Sequence, residues 1–143
     1  MTKLGRLGKL AFLSAVTSGA LLASTAAPAH AAWSTFAGQA GTAVVMACKT
    51  AVDGGGFGPL WEITLVAATT PGRTAGARFE VRRGSSLVSR VDLAASNGSW
   101  DVKTTWASRI LGDRYTGTAG TGLTSGEGAG GAIGGSFSSI ANC

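Results

Sequence analysis

Several stretches of residues 42–143 alternate between apolar and polar positions with a period of two, which is the pattern of half-buried β-strands. The stretches 42–49 and 60–67 are predicted strands, and a glycine-rich loop at 53–59 separates them. No segment of this region keeps an apolar period of 3.6 residues over three turns, as an amphipathic helix would. The pattern therefore predicts an all-β domain.

Three further alternating runs follow, at 77–82, 87–93 and 100–106. Asn97-Gly98 lies between the last two, and this dipeptide is typical of a two-residue hairpin turn. The segment 84–86 joins the first two runs with the parity that brings their apolar faces together. These features predict a three-stranded antiparallel meander.

The turn and the parity also predict a register for the meander, which pairs opposite charges on its wet face. The predicted charge pairs are Arg78 with Asp92, Asp92 with Lys103, and Glu80 with Arg90, and the apolar pairs are Phe79 with Val91, Ala77 with Leu93, and Leu93 with Val102. An aromatic binding surface is one interpretation of the four tryptophans, Trp33, Trp61, Trp100 and Trp106. Trp61 and Trp100 occupy inward positions in this scheme, however, and tryptophans at such positions are usually core. We therefore expect both in the core.

The dry face of the meander needs a second layer, which 42–49 and 60–67 can supply. Two such layers predict a small antiparallel β-sandwich with an immunoglobulin-like layout, and a small barrel is the alternative. The segment 117–135 contains nine glycines, so we expect either a flexible loop or strands that tolerate glycine. The stretch 132–140 is predicted as the last strand.

Residues 1–31 have the order of a cleavable secretory signal peptide. Three basic residues precede an apolar stretch at 10–22, and the small-residue sequence Ala29-His30-Ala31 follows. The apolar stretch is shorter than the roughly 20 residues of a membrane-spanning helix. We expect a secreted, extracellular product without a stable membrane anchor, in which 32–41 is an N-terminal lead-in and 42–143 is a single domain.

Removal of this segment changes the chemistry that is available. The full chain has a net charge of +5, but three of its twelve basic residues lie in the segment, so nine basic and seven acidic residues remain, a net charge of +2. This modest charge gives no indication of nucleic-acid binding. Two cysteines remain, Cys48 and Cys143, and an even number in an exported chain predicts a disulfide between them.

The same removal takes away the only histidine, His30. A Ser-His-Asp triad is then impossible, and cysteines that form a disulfide are neither nucleophiles nor zinc ligands. The seven carboxylates form no recognisable acid–base motif. We therefore expect no enzymatic activity, no cofactor and no bound metal.

The segment 109–115 is the strongest candidate for recognition, because it combines two arginines with an aromatic residue. Its candidate binding residues are Arg109, Asp113, Arg114 and Tyr115; a plain β-turn at Gly112-Asp113 is the alternative interpretation. We expect a monomeric, non-catalytic binding module for an unknown extracellular protein or cell-surface ligand. The alternative is a secreted protease inhibitor with a basic loop, anchored by Arg73 or Arg109.

Overall fold

The computed structural model describes residues 32–143; the signal peptide expected at 1–31 lies outside the described residues. Within 32–143 the chain forms eight strands: β1 (Ser34–Gln39), β2 (Ala43–Asp53), β3 (Pro59–Thr69), β4 (Arg73–Arg83), β5 (Ser86–Ser96), β6 (Trp100–Ser108), β7 (Arg114–Leu123) and β8 (Gly128–Ser136). Short 3-10 turns occur at Gly55–Phe57 and Phe137–Ser139. Within this range, no helix has the length and apolar character needed to cross a membrane.

The strands form two antiparallel four-stranded sheets that pack face to face. Sheet I has the order β1-β2-β3-β6, and sheet II has the order β5-β4-β7-β8. The predicted antiparallel sandwich is therefore confirmed. The predicted disulfide between Cys48 and Cys143 is also present, and it ties the last residue of the chain to β2. Two backbone hydrogen bonds form beside this disulfide. The Lys49 N–H donates to the carbonyl of Ala141, and the Lys49 carbonyl accepts the N–H of Cys143, each at 2.9 Å.

The core lies between the sheets and receives side chains from both. Ile63 and Leu65 of β3 and Phe79 and Val81 of β4 are fully buried there. Phe79 stacks on Tyr115 with 5.3 Å between ring centroids. This aromatic contact joins the two central strands of sheet II under the aliphatic side chains of sheet I.

The pairing of β4 with β5 follows the predicted register up to Val81, but the predicted three-residue loop at 84–86 is wrong. The turn has two residues, Gly84 and Ser85, and a bulge between Val81 and Arg82 supplies the odd residue. Phe79 lies opposite Val91 and Arg78 opposite Asp92, and the Arg78–Asp92 ion pair forms at 3.0 Å. The pairs Ala77 with Leu93 and Glu80 with Arg90 are also in register. The charges on this face do not all pair across the strands, because Glu80 bonds to Arg82 on its own strand at 2.7 Å.

The prediction that β6 would complete this meander is wrong. The Asn97-Gly98 turn forms, with positive φ values of 53° and 81°, but it docks on the β3–β4 connection. Asn97 Oδ1 accepts the Gly72 N–H, and the Gly98 N–H donates to Thr69 Oγ1. This docking directs β5 alongside β4 and β6 alongside β3 in the other sheet. Alternation fixes which face a residue takes, but not which strand becomes its neighbour.

The new pairing changes the position of the β6 side chains. Trp100 lies opposite Ala68 and Val102 opposite Val66, on the side of sheet I that faces away from the core. Trp100 is 74% exposed and Val102 is 43% exposed, so the prediction that they belong to the core is wrong. Trp61 is half-buried and packs against the core, in keeping with its prediction.

The glycine-rich segment consists mainly of strands β7 and β8. Gly117 shows why glycine is needed there, because its φ is +151° and a Cβ would collide with the carbonyl oxygen of Arg78 on β4. At Gly131, by contrast, a Cβ would meet no atom within 4 Å. The lead-in expected at 32–41 contains β1, which extends sheet I beside β2.

Candidate functional site

The predicted recognition segment contains a tight turn at 109–112 that Asp113 holds in place. The Asp113 side chain is fully buried and accepts the Ser108 N–H at 2.7 Å. It also accepts two bonds from Arg83, at 2.8 Å from Nε and 3.2 Å from Nη2. The carboxylate raises the pKa of the Arg83 guanidinium through this hydrogen bond, which favours its charged form. Asp113 is thus placed to support the turn from inside.

The other three predicted site residues point to different places. The Arg109 guanidinium lies 4.7 Å from the centroid of the Trp61 ring, as in a cation–π contact. Tyr115 is buried in the core, with its hydroxyl 3.0 Å from Ser139 Oγ. Arg114 is exposed at the start of β7. The structure therefore does not bring the four residues together into one site.

Trp61 contacts a second cation, the ammonium of Lys49, whose Nζ lies 5.0 Å from the ring centroid. Lys49 is buried, and its Nζ donates a hydrogen bond to the carbonyl of Ile140. Burial lowers the pKa of this ammonium because it penalises the charged form. The Lys49 ammonium therefore has a structural role beside the disulfide, where it contacts the Ile140 carbonyl and the Trp61 ring.

A cleft of about 270 Å³ opens beside the 109–112 turn. Its walls include the apolar side chains of Phe57, Leu60, Val88, Trp106 and Leu111. Phe57 is 85% exposed, and Trp106 and Leu111 are about half exposed. The cleft is therefore a concave, partly aromatic surface that is open to solvent.

A second feature, which we call the tryptophan face, occupies the outer side of sheet I along β6 and β3. Alternation places Ile63 and Leu65 in the core, so the residues between and beside them point outward. The tryptophan face consists of Trp100, Val102, Thr104 and Trp106 on β6, and of their respective cross-strand partners Ala68, Val66, Thr64 and Glu62 on β3. Trp106 belongs to both this face and the cleft.

Exposed apolar side chains are concentrated around β6. Among the described residues, nine large hydrophobic side chains are exposed, and all but Trp33 lie on β6, on β5, or in the loops at the cleft. The outer side of sheet II is different, because β4 and β5 present alternating charges there. These charged residues are Arg78, Glu80, Arg82, Arg90 and Asp92. The two outer surfaces of the sandwich therefore have opposite chemical character.

An aromatic surface is the less favoured interpretation of the tryptophans from sequence alone, because the predicted meander places Trp100 and Val102 on the core side of β6. The opposite side of β6 carries Asp101 and Lys103, and these bond to the edge of β5. Asp101 Oδ2 accepts the Ala94 N–H at 3.0 Å, and Lys103 Nζ donates to the Asp92 carbonyl at 2.9 Å. These contacts define the β5–β6 seam between the sheets. The Ala94 N–H, together with Lys103, lowers the pKa of Asp101.

Within residues 32–143, no group of three His, Cys, Asp or Glu side chains is arranged to hold a metal ion. No protein-family model matches the chain, and no curated protein and no solved structure shows significant similarity to it.

Proposed function

We propose that this protein is a secreted, non-catalytic binding module whose extracellular partner docks on the tryptophan face. The observation that carries the proposal is the exposure of Trp100 and Trp106 on the same side of one strand. Residues 48 and 143 form a disulfide, which is compatible with an oxidising extracellular environment.

The exposure of these rings is unfavourable unless something covers them. A tryptophan buries roughly 150–250 Å² in a contact, and each Å² of apolar surface removed from water contributes about 25 cal/mol. Two such rings on one sheet face therefore offer several kcal/mol to a flat partner, before the entropic cost of association. Exposed apolar patches of this kind mark interaction sites in soluble proteins.

Immobilised protein incubated with the secreted and cell-wall fractions of its own organism tests this proposal. We expect the W100A/W106A double variant to lose most of the material that the unchanged protein retains. Thr118→Ala is the matched control, because Thr118 is exposed on the outer side of sheet II. Equal retention by the double variant and the control would show that the tryptophan face is not the binding surface.

A protease inhibitor is the second candidate function, and one observation favours it. The 109–112 turn is held rigidly, because Ser108 Oγ accepts the N–H groups of Ile110 and Leu111 at 3.2 and 3.1 Å. A rigid basic loop is the element that a protease inhibitor presents, and Arg109 would be its anchor. Assays against trypsin-type and subtilisin-type enzymes test this function, and absence of inhibition at micromolar protein would reject it.

A further inference from the structure

We infer that the ligand of the tryptophan face is an extended, uncharged polysaccharide of β-linked pyranose rings. This inference rests on the proposed function and names the class of partner that the face would bind. Three properties of the face support it: the distance between its aromatic rings, the polar groups between them, and its charge.

The two tryptophans are far apart along one straight element. Trp106 lies six positions after Trp100 on β6. A strand rises about 3.3 Å per residue, so the two residues lie about 20 Å apart. A small molecule cannot contact both rings. An extended chain of several pyranose rings can contact both, because its repeating units lie along a line.

Polar groups also lie on the tryptophan face. Thr104 and Thr64 lie opposite each other between the tryptophans, next to the apolar pair Val102–Val66, and Glu62 lies opposite Trp106 at one end. A pyranose ring also combines apolar and polar groups: its apolar C–H face stacks on an aromatic ring, and the hydroxyls on its rim form hydrogen bonds. Two aromatic platforms, with threonine hydroxyls between them and a carboxylate beside one ring, therefore match a chain of sugars.

The charge on this face also favours a neutral ligand. Among the described residues on the outer side of β2, β3 and β6, Glu62 is the one charged side chain. Its carboxylate would repel a polyanion such as a nucleic acid, and no basic side chain offsets it on that surface. A neutral polysaccharide avoids this repulsion, and its hydroxyls can donate hydrogen bonds to the carboxylate.

A depression lies next to the Trp100 end of the tryptophan face. It has a volume of about 110 Å³ and is lined by Val44, Ala68 and three threonines. Ala68 is the cross-strand partner of Trp100, so the depression lies beside that ring. At the opposite end, Trp106 borders the cleft already described. The concave regions at the two ends give an extended ligand further contact area.

The experiment measures binding of the purified protein to chitin and cellulose, and to their soluble oligosaccharides by titration calorimetry. We expect affinity to rise with oligosaccharide length until the chain contacts both tryptophans. Trp100→Ala and Trp106→Ala should each weaken binding of the longest oligosaccharide by at least about tenfold. Trp100→Phe keeps a flat ring and should lose much less.

Two matched threonine variants test the hydroxyl groups between the tryptophans. Thr104→Ala should weaken binding several-fold, whereas Thr118→Ala, on the other sheet, should leave it unchanged. Circular dichroism of each variant verifies that the fold is retained.

The outcomes separate this inference from the function on which it rests. If no glycan binds, but a protein from the extracellular fractions is retained in a tryptophan-dependent manner, the polysaccharide is wrong and the binding surface stands. Self-association that the W100A/W106A variant abolishes, without glycan binding, likewise rejects the polysaccharide and makes a second copy of this chain the partner. If glycans bind and both tryptophan variants leave that binding intact, the glycan binds elsewhere. This result would reject the polysaccharide as ligand of the tryptophan face, and it would also reject this face as the binding surface.

Discussion

Replacement of Asp113 by alanine tests how the 109–112 turn is stabilised. The side chain of Asp113 is fully buried, and it is the acceptor for the backbone N–H of Ser108, itself a buried residue. The variant removes this acceptor and leaves the N–H without a partner. It also frees Arg83, but that side chain is nearly half exposed and can be hydrated instead.

The expected loss of stability follows from the buried Ser108 N–H, which Asp113→Ala leaves without an acceptor. An unsatisfied buried N–H costs about 1–3 kcal/mol. A domain of this length has a free energy of unfolding of about 6–17 kcal/mol at 0.05–0.15 kcal/mol per residue, so the loss is a substantial fraction. At about 4 °C per kcal/mol, the melting temperature should fall by roughly 4–12 °C. Urea unfolding followed by tryptophan fluorescence measures the same change as a shift of the midpoint.

Two further variants give this prediction its controls. Asp113→Asn keeps an oxygen that can accept the Ser108 N–H, so it should lose less than the alanine variant. Asp53→Ala removes an exposed carboxylate that accepts a single backbone N–H, from Gly55 at 3.0 Å, and should change stability by under about 0.5 kcal/mol. If Asp113→Ala were no more destabilising than Asp53→Ala, the buried carboxylate would not be what stabilises the turn.

Three other perturbations have defined outcomes. Replacement of Cys48 and Cys143 by serine should lower the free energy of unfolding by about 2–5 kcal/mol, because the disulfide closes a loop across 95 positions; calorimetry with and without reductant measures this. Gly117→Ala should prevent folding or lower the melting temperature sharply, whereas Gly131→Ala, whose Cβ meets open space, should be tolerated in the same thermal scan. The pKa of Asp101 is lowered in the folded state, so its stabilisation is complete above the ordinary pKa of about 4 and is lost as the pH falls through the folded value. Urea midpoints below about pH 4 should therefore fall more steeply for the unchanged protein than for Asp101→Asn, and equal slopes would contradict this assignment.

Local features of the sequence were sufficient for the β4–β5 hairpin. The matching of apolar faces and the charge pair Arg78–Asp92 agree with the register that forms, although a bulge between Val81 and Arg82, and not the predicted odd loop, supplies the extra residue. The β5–β6 connection could not be predicted in the same way. Its turn forms as expected, but this turn docks on the β3–β4 connection, where Asn97 accepts the Gly72 N–H and Gly98 donates to Thr69 Oγ1, and β6 enters the sheet of β3.

The candidate site shows a related limit of pattern reading. Trp100 and Val102 are apolar, so alternation and the predicted meander assign them to the core side of β6. That assignment fails because β6 is an edge strand whose other side carries Thr105 and Ala107, both buried. Tyr115 illustrates the reverse case, since a residue expected in a recognition loop packs against Phe79. Whether an apolar residue is core or surface depends on long-range pairing.

The β5–β6 seam has a consequence for solubility. Unpaired edge strands can template pairing with another chain, and here two such edges face each other and are held together by Asp101 and Lys103. Protonation of Asp101 in acid removes its charge and weakens these contacts, so both edges become more accessible to a foreign strand. The colloidal stability of the protein should therefore decline in acid before the core unfolds, and light scattering would detect the change earlier than circular dichroism.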